Sequence, residues 1–291
     1  MIVDFAALAV LPAAMILDLF LGDPKGIPHP IRWMGRLIEY SEPFFRRRIK
    51  NEFQSGFIFA VSLILFTWIS SYIIVQGAHY IHPTFGWAVE VLLIYYALTV
   101  KSLRDAAMSV CRALKKESLL EAKRHVSMIV GRDVAGLDRR GVIRATVETV
   151  AENLVDGVMS PVFYAAIGGA PLAMTFKMVN TLDSMVGYKT SRYKHFGRAS
   201  ARIDDLANFI PARLSIPVIT AAAHLLFGTG GRTWATVLRE GDRHSSPNAG
   251  KPEAAFAGDL GIKLGGPNHY HGTYVNKPYI ETQFGVAQPH H

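Results

Sequence analysis

Residues 57–75 form a run of nineteen residues without one charged side chain, placed just after the basic cluster Arg46-Arg-Arg-Ile-Lys50. A helix of about twenty apolar residues crosses the roughly 30 Å hydrocarbon core of a bilayer, and flanking Lys and Arg stay on the cytoplasmic side. Residues 87–100 are a second such segment. The intervening 76–86 has no Lys or Arg, which predicts a membrane hairpin turning on the far side. Residues 2–21 are a third segment. It carries Asp4 and Asp18 and no basic lead, so it reads as an uncleaved membrane segment and not as a signal peptide. Gly22-Asp-Pro-Lys then ends it, because the residue before proline is pushed out of helix.

The chain-wide balance agrees. Only 19% of residues are charged and mean hydropathy is +0.20, against about 25% charge in soluble proteins. The net charge is +8. The basic residues lie in loops beside apolar spans and not in one stripe, which argues against a nucleic-acid partner. They suit the positive-inside rule and the attraction of phosphorylated substrates. The single cysteine, Cys111, rules out an internal disulfide framework and a multi-cysteine zinc site.

The remaining segments are less regular. Helices are predicted over 102–116, 117–130 and 138–155, in a basic and soluble-looking region. The apolar stretch 158–179 is interrupted by Gly168-Gly-Ala-Pro171, and 206–227 contains Pro211, Arg213 and Pro217. Broken helices are tolerated at membrane depth only where protein or water surrounds them. Both stretches are therefore read as partly buried or re-entrant. The expected architecture is an all-α, polytopic integral membrane protein, 1–291 forming a single membrane-integral domain with cytoplasmic helical segments. The tail 288–291 is set aside as an appended scar.

Three polar blocks interrupt this apolar frame, where unpaired polar groups are expensive. In the first, Arg144, Glu148, Glu152 and Asp156 recur every four residues and share one helix stripe, with Asn153 beside it. Carboxylates on one face suit Mg²⁺, which takes carboxylates, waters and substrate phosphates. A solvated face with an Arg144–Glu148 pair is the alternative. The second block holds Asp183, Tyr188, Lys189, Arg198, Arg202, Asp204, Asp205, Asn208 and Arg213. Its Lys and Arg suit phosphates and its acidic pair suits a metal, while topology-setting charge is the alternative. The third block contains Asn248-Ala-Gly-Lys251-Pro-Glu, a loop entering a helix. Free N–H groups and Lys251 there suit an anion. It is not a P-loop, since Pro252 stands where Ser or Thr is required. His269 and His271 read as surface or core side chains. No G-x-S-x-G or G-x-G-x-x-G motif is present.

Four motifs resemble the cobinamide-phosphate synthase family of cobalamin biosynthesis. They are Gly22-Asp-Pro with Pro28-His-Pro-Ile-Arg-Trp-Met-Gly35, Glu148-Thr-Val-Ala-Glu-Asn-Leu-Val-Asp-Gly157, Asn180-Thr-Leu-Asp-Ser-Met-Val-Gly-Tyr-Lys189 and Ser246-Pro-Asn-Ala-Gly-Lys-Pro-Glu253. Their order along residues 1–275 makes the match more specific than any one motif. The resemblance implies a multi-pass enzyme of the cell membrane with its active face cytoplasmic. It implies ATP and Mg²⁺ as cofactors, and corrinoid and aminopropanol phosphate (or aminopropanol) as substrates joined through an amide bond. It implies the bilayer and other late corrin-pathway enzymes as partners. Under it, Glu148, Glu152, Asp156, Asp183, Asp204 and Asp205 are expected to hold the metal or act as base. Lys189, Arg198, Arg202, Arg213 and Lys251 are expected to bind phosphates, and Asn153, Tyr188, Asn208 and Asn248 to orient substrate. A non-catalytic membrane sensor or scaffold, and a Mg²⁺-dependent membrane phosphotransferase, are the other classes compatible with these blocks.

Overall fold

The computed structural model describes residues 5–23, 26, 29–188, 190–244, 246–270, 272–280, 284 and 285. Lys189, His271, residues 2–4, positions 24, 25, 27 and 28 of the first motif, and the tail 288–291 lie outside the described residues. The helices are α1 (Phe5–Leu21), α2 (Pro30–Arg48), α3 (Glu52–Ile81), α4 (Pro83–Ala97), α5 (Val100–Lys115), α6 (Leu119–Ser127) and α7 (Arg139–Leu154). After them come α8 (Ser160–Val186), α9 (Arg198–Ala207), α10 (Phe209–Phe227), α11 (Gly230–Glu240) and α12 (Gly250–Leu260). A π-helical turn, Val155–Met159, joins α7 to α8. Four short strands follow: β1 (Leu264–Gly265), β2 (Asn268–Tyr270), β3 (Thr273–Val275) and β4 (Tyr279–Ile280). β1 pairs antiparallel with β4, and β2 with β3. The described fold is thus all-α, with four helices long and apolar enough to cross a membrane. The apolar part of α1, Leu8–Leu21, is shorter than those four.

The chain packs as two compact units, Met1–Lys101 with Asp156–Asn208, and Ser102–Val155 with Phe209–His291. The exchange points fall at or near helix ends and carry no Pro- or Gly-rich linker. Composition therefore marks no boundary there, and the sequence reads as one domain.

In the first unit, α3 is capped by Asn51, whose side chain accepts from Gln54 N–H at 3.0 Å. Its thirty residues reach about 45 Å. It is built inside out. Ser55, Gly56, Ala60, Thr67, Ser71 and Ala78 are buried, while Phe57, Ile58, Leu65, Phe66, Ile69 and Ile73 are exposed. Small residues let helices approach closely where lipid, and not water, surrounds them. Gly56 is the closest case: a Cβ there would lie 1.8 Å from the Phe196 carbonyl oxygen. The 76–86 stretch is mostly helix, since α3 runs to Ile81 and α4 begins at Pro83, leaving His82 alone to make the turn.

α8 is not a straight rod. Gly168 and Gly169 leave helical geometry, Gly169 with φ +64°. Tyr164 and Phe176 nonetheless stack with ring centroids 5.3 Å apart. Twelve residues of continuous helix would separate them by about 18 Å. The chain therefore reverses at the glycine pair, and α8 is a helical hairpin of two arms, 160–167 and 170–186. Only glycine takes the left-handed conformation without strain. The interruption expected at Gly168-Gly-Ala-Pro171 falls at this reversal. The hairpin packs on α3 and α4.

In the second unit, α11 and α12 cross closely because α12 presents Ala254, Ala255, Ala257 and Gly258. A Cβ on Gly258 would sit 2.8 Å from Thr233 Cα. α10 is inside out like α3, burying Ala212, Ser215 and Ala223 and exposing Ile210, Leu214, Val218 and Leu225. The core joins Val110, Leu114, Val126, Val142, Ile143, Ile262, Leu264 and Ile280. Ser118 and Asp138 cap α6 and α7 through their side chains.

Candidate active site

Each unit buries polar side chains that belong to the blocks singled out in the sequence. In the first unit the centre is α9, which has two faces. Arg198 and Arg202 point outward and are exposed, whereas Ser200, Asp204 and Asn208 form its buried edge. Asn208 Nδ2 donates to Asp204 Oδ2 at 3.0 Å, and Ser160 Oγ at the start of α8 donates to Asn208 Oδ1. Tyr164 Oη donates to the Ala207 carbonyl at 3.0 Å. Asp204 is 8% exposed, and its Oδ1 has no hydrogen-bond partner among the described residues. Burial raises its pKa to about 7. The charges of Asp183 and Asp205 add to that rise, and the amides of Asn208 and Asn180 oppose it. A carboxylate held so is poised to take a cation or a proton. Asp183 and Asp205 are half-buried around it, and Tyr188 is exposed.

Asp156 lies in the π turn, past the end of α7, so the four-residue stripe of the first block keeps α-helical geometry only through Glu152. π turns recur at functional positions.

In the second unit Glu148 is fully engaged. Its Oε2 accepts from Arg132 Nη2, its Oε1 accepts from Gly265 N–H at 2.6 Å, and Arg144 Nε lies 3.8 Å away. Arg132 also donates to Asn268 Oδ1 at 3.2 Å. Burial lowers the Arg132 pKa, but the Glu148 charge and hydrogen bond outweigh it and leave the guanidinium more strongly protonated than usual. Glu148 therefore ties α7 to β1, and its oxygens are committed to fold contacts. Glu152, one turn on, is exposed. Asn153 Nδ2 is used within the helix, donating to the Thr149 carbonyl at 3.0 Å.

Glu253 is buried at the first turn of α12. Burial raises its pKa well above the usual carboxylate range, and the neighbouring Glu148 and Glu152 charges raise it further. His244 Nε2 stands 3.8 Å from Glu253 Oε1. Its Nδ1 accepts from Ser246 N–H at 3.0 Å. Burial, then Lys277 and Arg132, lower the His244 pKa to about 4, so the imidazole is neutral at neutral pH. Lys277 Nζ donates to Tyr270 Oη at 2.9 Å.

The helix start at Gly250 forms as the sequence predicts, but Lys251 has an anion of this chain beside it. Its Nζ donates to Asp242 Oδ1 at 2.7 Å. Arg213 lies over the Phe209 ring at 3.3 Å and donates to the Phe209 carbonyl at 2.7 Å, with Asn248 Oδ1 at 3.5 Å. Among the described residues no three His, Cys, Asp or Glu side chains converge as a metal cage.

Comparison with known proteins decides the family. The sequence profile of the CobD/Cbib protein family matches residues 11–291. The chain belongs to the CobD/Cbib family. It is 50% identical over 272 residues to the "Cobalamin biosynthesis protein CobD" of Geobacter metallireducens, covering 94% of this chain and 86% of that protein. It is 48% identical to the protein of that name from Klebsiella pneumoniae, covering 92% and 85%. It is 46% identical to the "Cobalamin biosynthesis protein CbiB" of Salmonella typhi, covering 94% and 87%. No solved structure matches.

In this CobD/Cbib chain the motifs that carried the resemblance divide between the units. The 148–155 and 246–253 stretches lie in the second unit, and 180–188 in the first. Sequence reasoning missed Arg132, His244, Glu253 and Lys277 as members of a charged cluster. Glu253 was legible as an acidic residue beside a proline at a helix start. Arg132 and Lys277 sit in loops with no spacing that marks them.

Proposed function

We propose that this chain is a membrane-bound enzyme of cobalamin biosynthesis, an ATP-dependent carboxylate–amine ligase. It joins adenosylcobyric acid to aminopropanol phosphate, or to aminopropanol, and gives adenosylcobinamide phosphate in the first case. Family membership along 11–291 supports the pathway. Within the fold, the observation that carries the chemistry is buried Asp204, one oxygen held by Asn208 and the other unpartnered.

A carboxylate accepts an amine at neutral pH only once it is activated; ATP supplies that activation and Mg²⁺ offsets phosphate charge. Mg²⁺ needs only one or two protein carboxylates when substrate phosphates and waters complete its shell. Asp204, with one of its half-buried neighbours Asp183 and Asp205, is assigned to hold it. Exposed Arg198 and Arg202, on the outward side of α9, are placed to attract phosphate-bearing substrates. The active face is assigned to the cytoplasm, where the basic stretches 46–50 and 101–144 belong.

The test is turnover by purified protein in detergent with adenosylcobyric acid, aminopropanol phosphate, ATP and Mg²⁺, products being read by mass. The expected product has the mass of the amide, with one ATP consumed per bond. Binding without turnover would instead support a sensor or scaffold, and products dependent on lipid alcohols a phosphotransferase.

A further inference from the structure

Between α5, α7, α12 and the end of α10 the second unit leaves a cavity of about 360 Å³. Packed interiors keep few voids larger than a water molecule, and this volume falls within the roughly 300–1,000 Å³ of small-molecule sites. Met108, Cys111 and Leu114 of α5 and Val147 and Val150 of α7 line it, and Phe227 stands on the α10 side. Two side chains of the lining, Thr146 and Asp259, carry oxygen, and both make bonds within the unit. Thr146 Oγ1 donates to the Val142 carbonyl at 2.9 Å, and Asp259 Oδ1 accepts from Thr229 Oγ1. The remaining wall is apolar, so a polar group carried inside is desolvated with little to pair with, and the Asp259 carboxylate repels an anion. What fits inside is hydrocarbon.

The surroundings say which hydrocarbon. Phe227 is exposed, as are Leu225 and Leu226 before it. They end α10, one of the four helices apolar enough to cross a bilayer. The cavity wall is therefore continuous with a surface suited to lipid. On the other side Met108 is exposed. Arg104 precedes Met108 by four residues and Lys115 follows Cys111 by four, which puts both cations on the cavity face of α5, and both are exposed. An apolar slot beside a bilayer-facing surface, flanked by exposed cations, is complementary to a phospholipid of negative charge, its chain inside and its phosphate outside. A nucleotide would instead bring ring nitrogens to a hydrocarbon wall.

We propose that this cavity seats one acyl chain of an anionic phospholipid, with Arg104 and Lys115 beside the phosphate. The site is independent of the ligase reading: its residues all belong to the second unit, and none is assigned to the reaction.

Cys111, the only cysteine of the chain, lines the cavity and gives the test. The full chain is reconstituted in nanodiscs of phosphatidylcholine with a minor share of phosphatidylglycerol. Lipid retained after release into detergent is read by native mass spectrometry. The wild type is expected to keep a single phosphatidylglycerol in preference to phosphatidylcholine. Alkylation of Cys111 with a bulky maleimide fills the cavity and should displace that lipid, whereas Cys111→Ser exposed to the same reagent should keep it. Arg104→Gln combined with Lys115→Gln should weaken phosphatidylglycerol about 25-fold, roughly fivefold for each cation near an anionic lipid surface. Its thermal midpoint should not move, since both side chains are exposed, so this arm decides even where alkylation unfolds the chain. Phosphatidylcholine held as firmly as phosphatidylglycerol, phosphatidylglycerol kept by folded alkylated protein, or wild-type affinity in the double variant overturns the proposal. So does slowing of Cys111 alkylation by Mg-ADP or adenosylcobyric acid and not by phosphatidylglycerol, which would give the cavity to a substrate.

Discussion

Asn208 holds Asp204 from one side only. Its amide donates to Oδ2 at 3.0 Å and its own oxygen accepts from Ser160, so a single side chain joins the end of α9 to the start of α8. Asn208→Ala removes both contacts and leaves the Asn180 amide to offset the buried Asp204 charge alone. The expected loss is about 1–3 kcal/mol, read as a lowered thermal midpoint in detergent. Asn208→Asp should be worse, because it sets a second carboxylate against the first. A midpoint unchanged in both variants would contradict the described geometry.

Asp204 also fixes a pH dependence. Its folded pKa, about 7, stands above its unfolded value of 3.8. The stability linked to it is fully present below about pH 4 and is lost as pH rises through 7. Without added divalent cation, Asp204 thus makes the protein less stable at pH 8 than at pH 5.5, and Asp204→Asn should flatten that slope. Added Mg²⁺ should raise the midpoint at pH 8 in the wild type and not in Asp204→Asn. An identical Mg²⁺ response in both would remove Asp204 from the metal assignment.

Glu148 and Arg132 test whether the first block is a fold anchor. Glu148→Gln keeps shape but strands a buried guanidinium, which costs about 3–5 kcal/mol when one partner of a buried pair is removed. The double change Glu148→Leu with Arg132→Met should regain most of that loss. Additive losses across this double-mutant cycle would show that the pair is not coupled.

Lys251 and Asp242 compete with any anion for the start of α12. Asp242 is 84% exposed, so breaking the pair should barely move thermal stability. If a substrate phosphate uses this helix start, Asp242→Asn should lower the KM for that substrate several-fold and Lys251→Met should raise it. Equal KM values in the two variants would make the pair a surface contact only.

Sidedness is tested with single cysteines in a chain whose Cys111 is replaced by serine. Cysteine at Thr84, beside the one-residue turn of the α3–α4 hairpin, should react with an impermeant maleimide added outside intact cells. Cysteine at Ser118 or Ser246 should react only after permeabilisation. External labelling at Ser246 would reverse the proposed cytoplasmic face.

The local signals proved the most legible. The helix starts predicted at 117 and 138 lie within two residues of α6 and α7, because the caps Ser118 and Asp138 act locally. Gly168-Gly169 announces a break for the same local reason. What no local signal shows is the reversal there, which depends on Tyr164 meeting Phe176 across the hairpin. The polar blocks were visible as blocks, yet their internal roles were not. Glu148 and Glu152 look alike at four-residue spacing, and only Arg132 and Gly265, distant in sequence, separate the locked carboxylate from the exposed one. Lys177 and Lys194 are both lysines, and the structure buries only the first. Burial of the first is set by how α8 folds back, which one-dimensional hydropathy does not encode.

The glycine reversal in α8 also sets an order of assembly. Peptide groups freed at a turn find no water inside hydrocarbon, so such a turn settles only where protein already surrounds it. α3 and α4, which pack against α8, form a complete hairpin that can enter the bilayer unaided and leave the ribosome first. The α8 hairpin is therefore a late guest, seated against a wall that earlier synthesis has put in place. Truncation before residue 156 should leave that wall inserted, whereas the two arms of α8 expressed without it should stay outside the membrane.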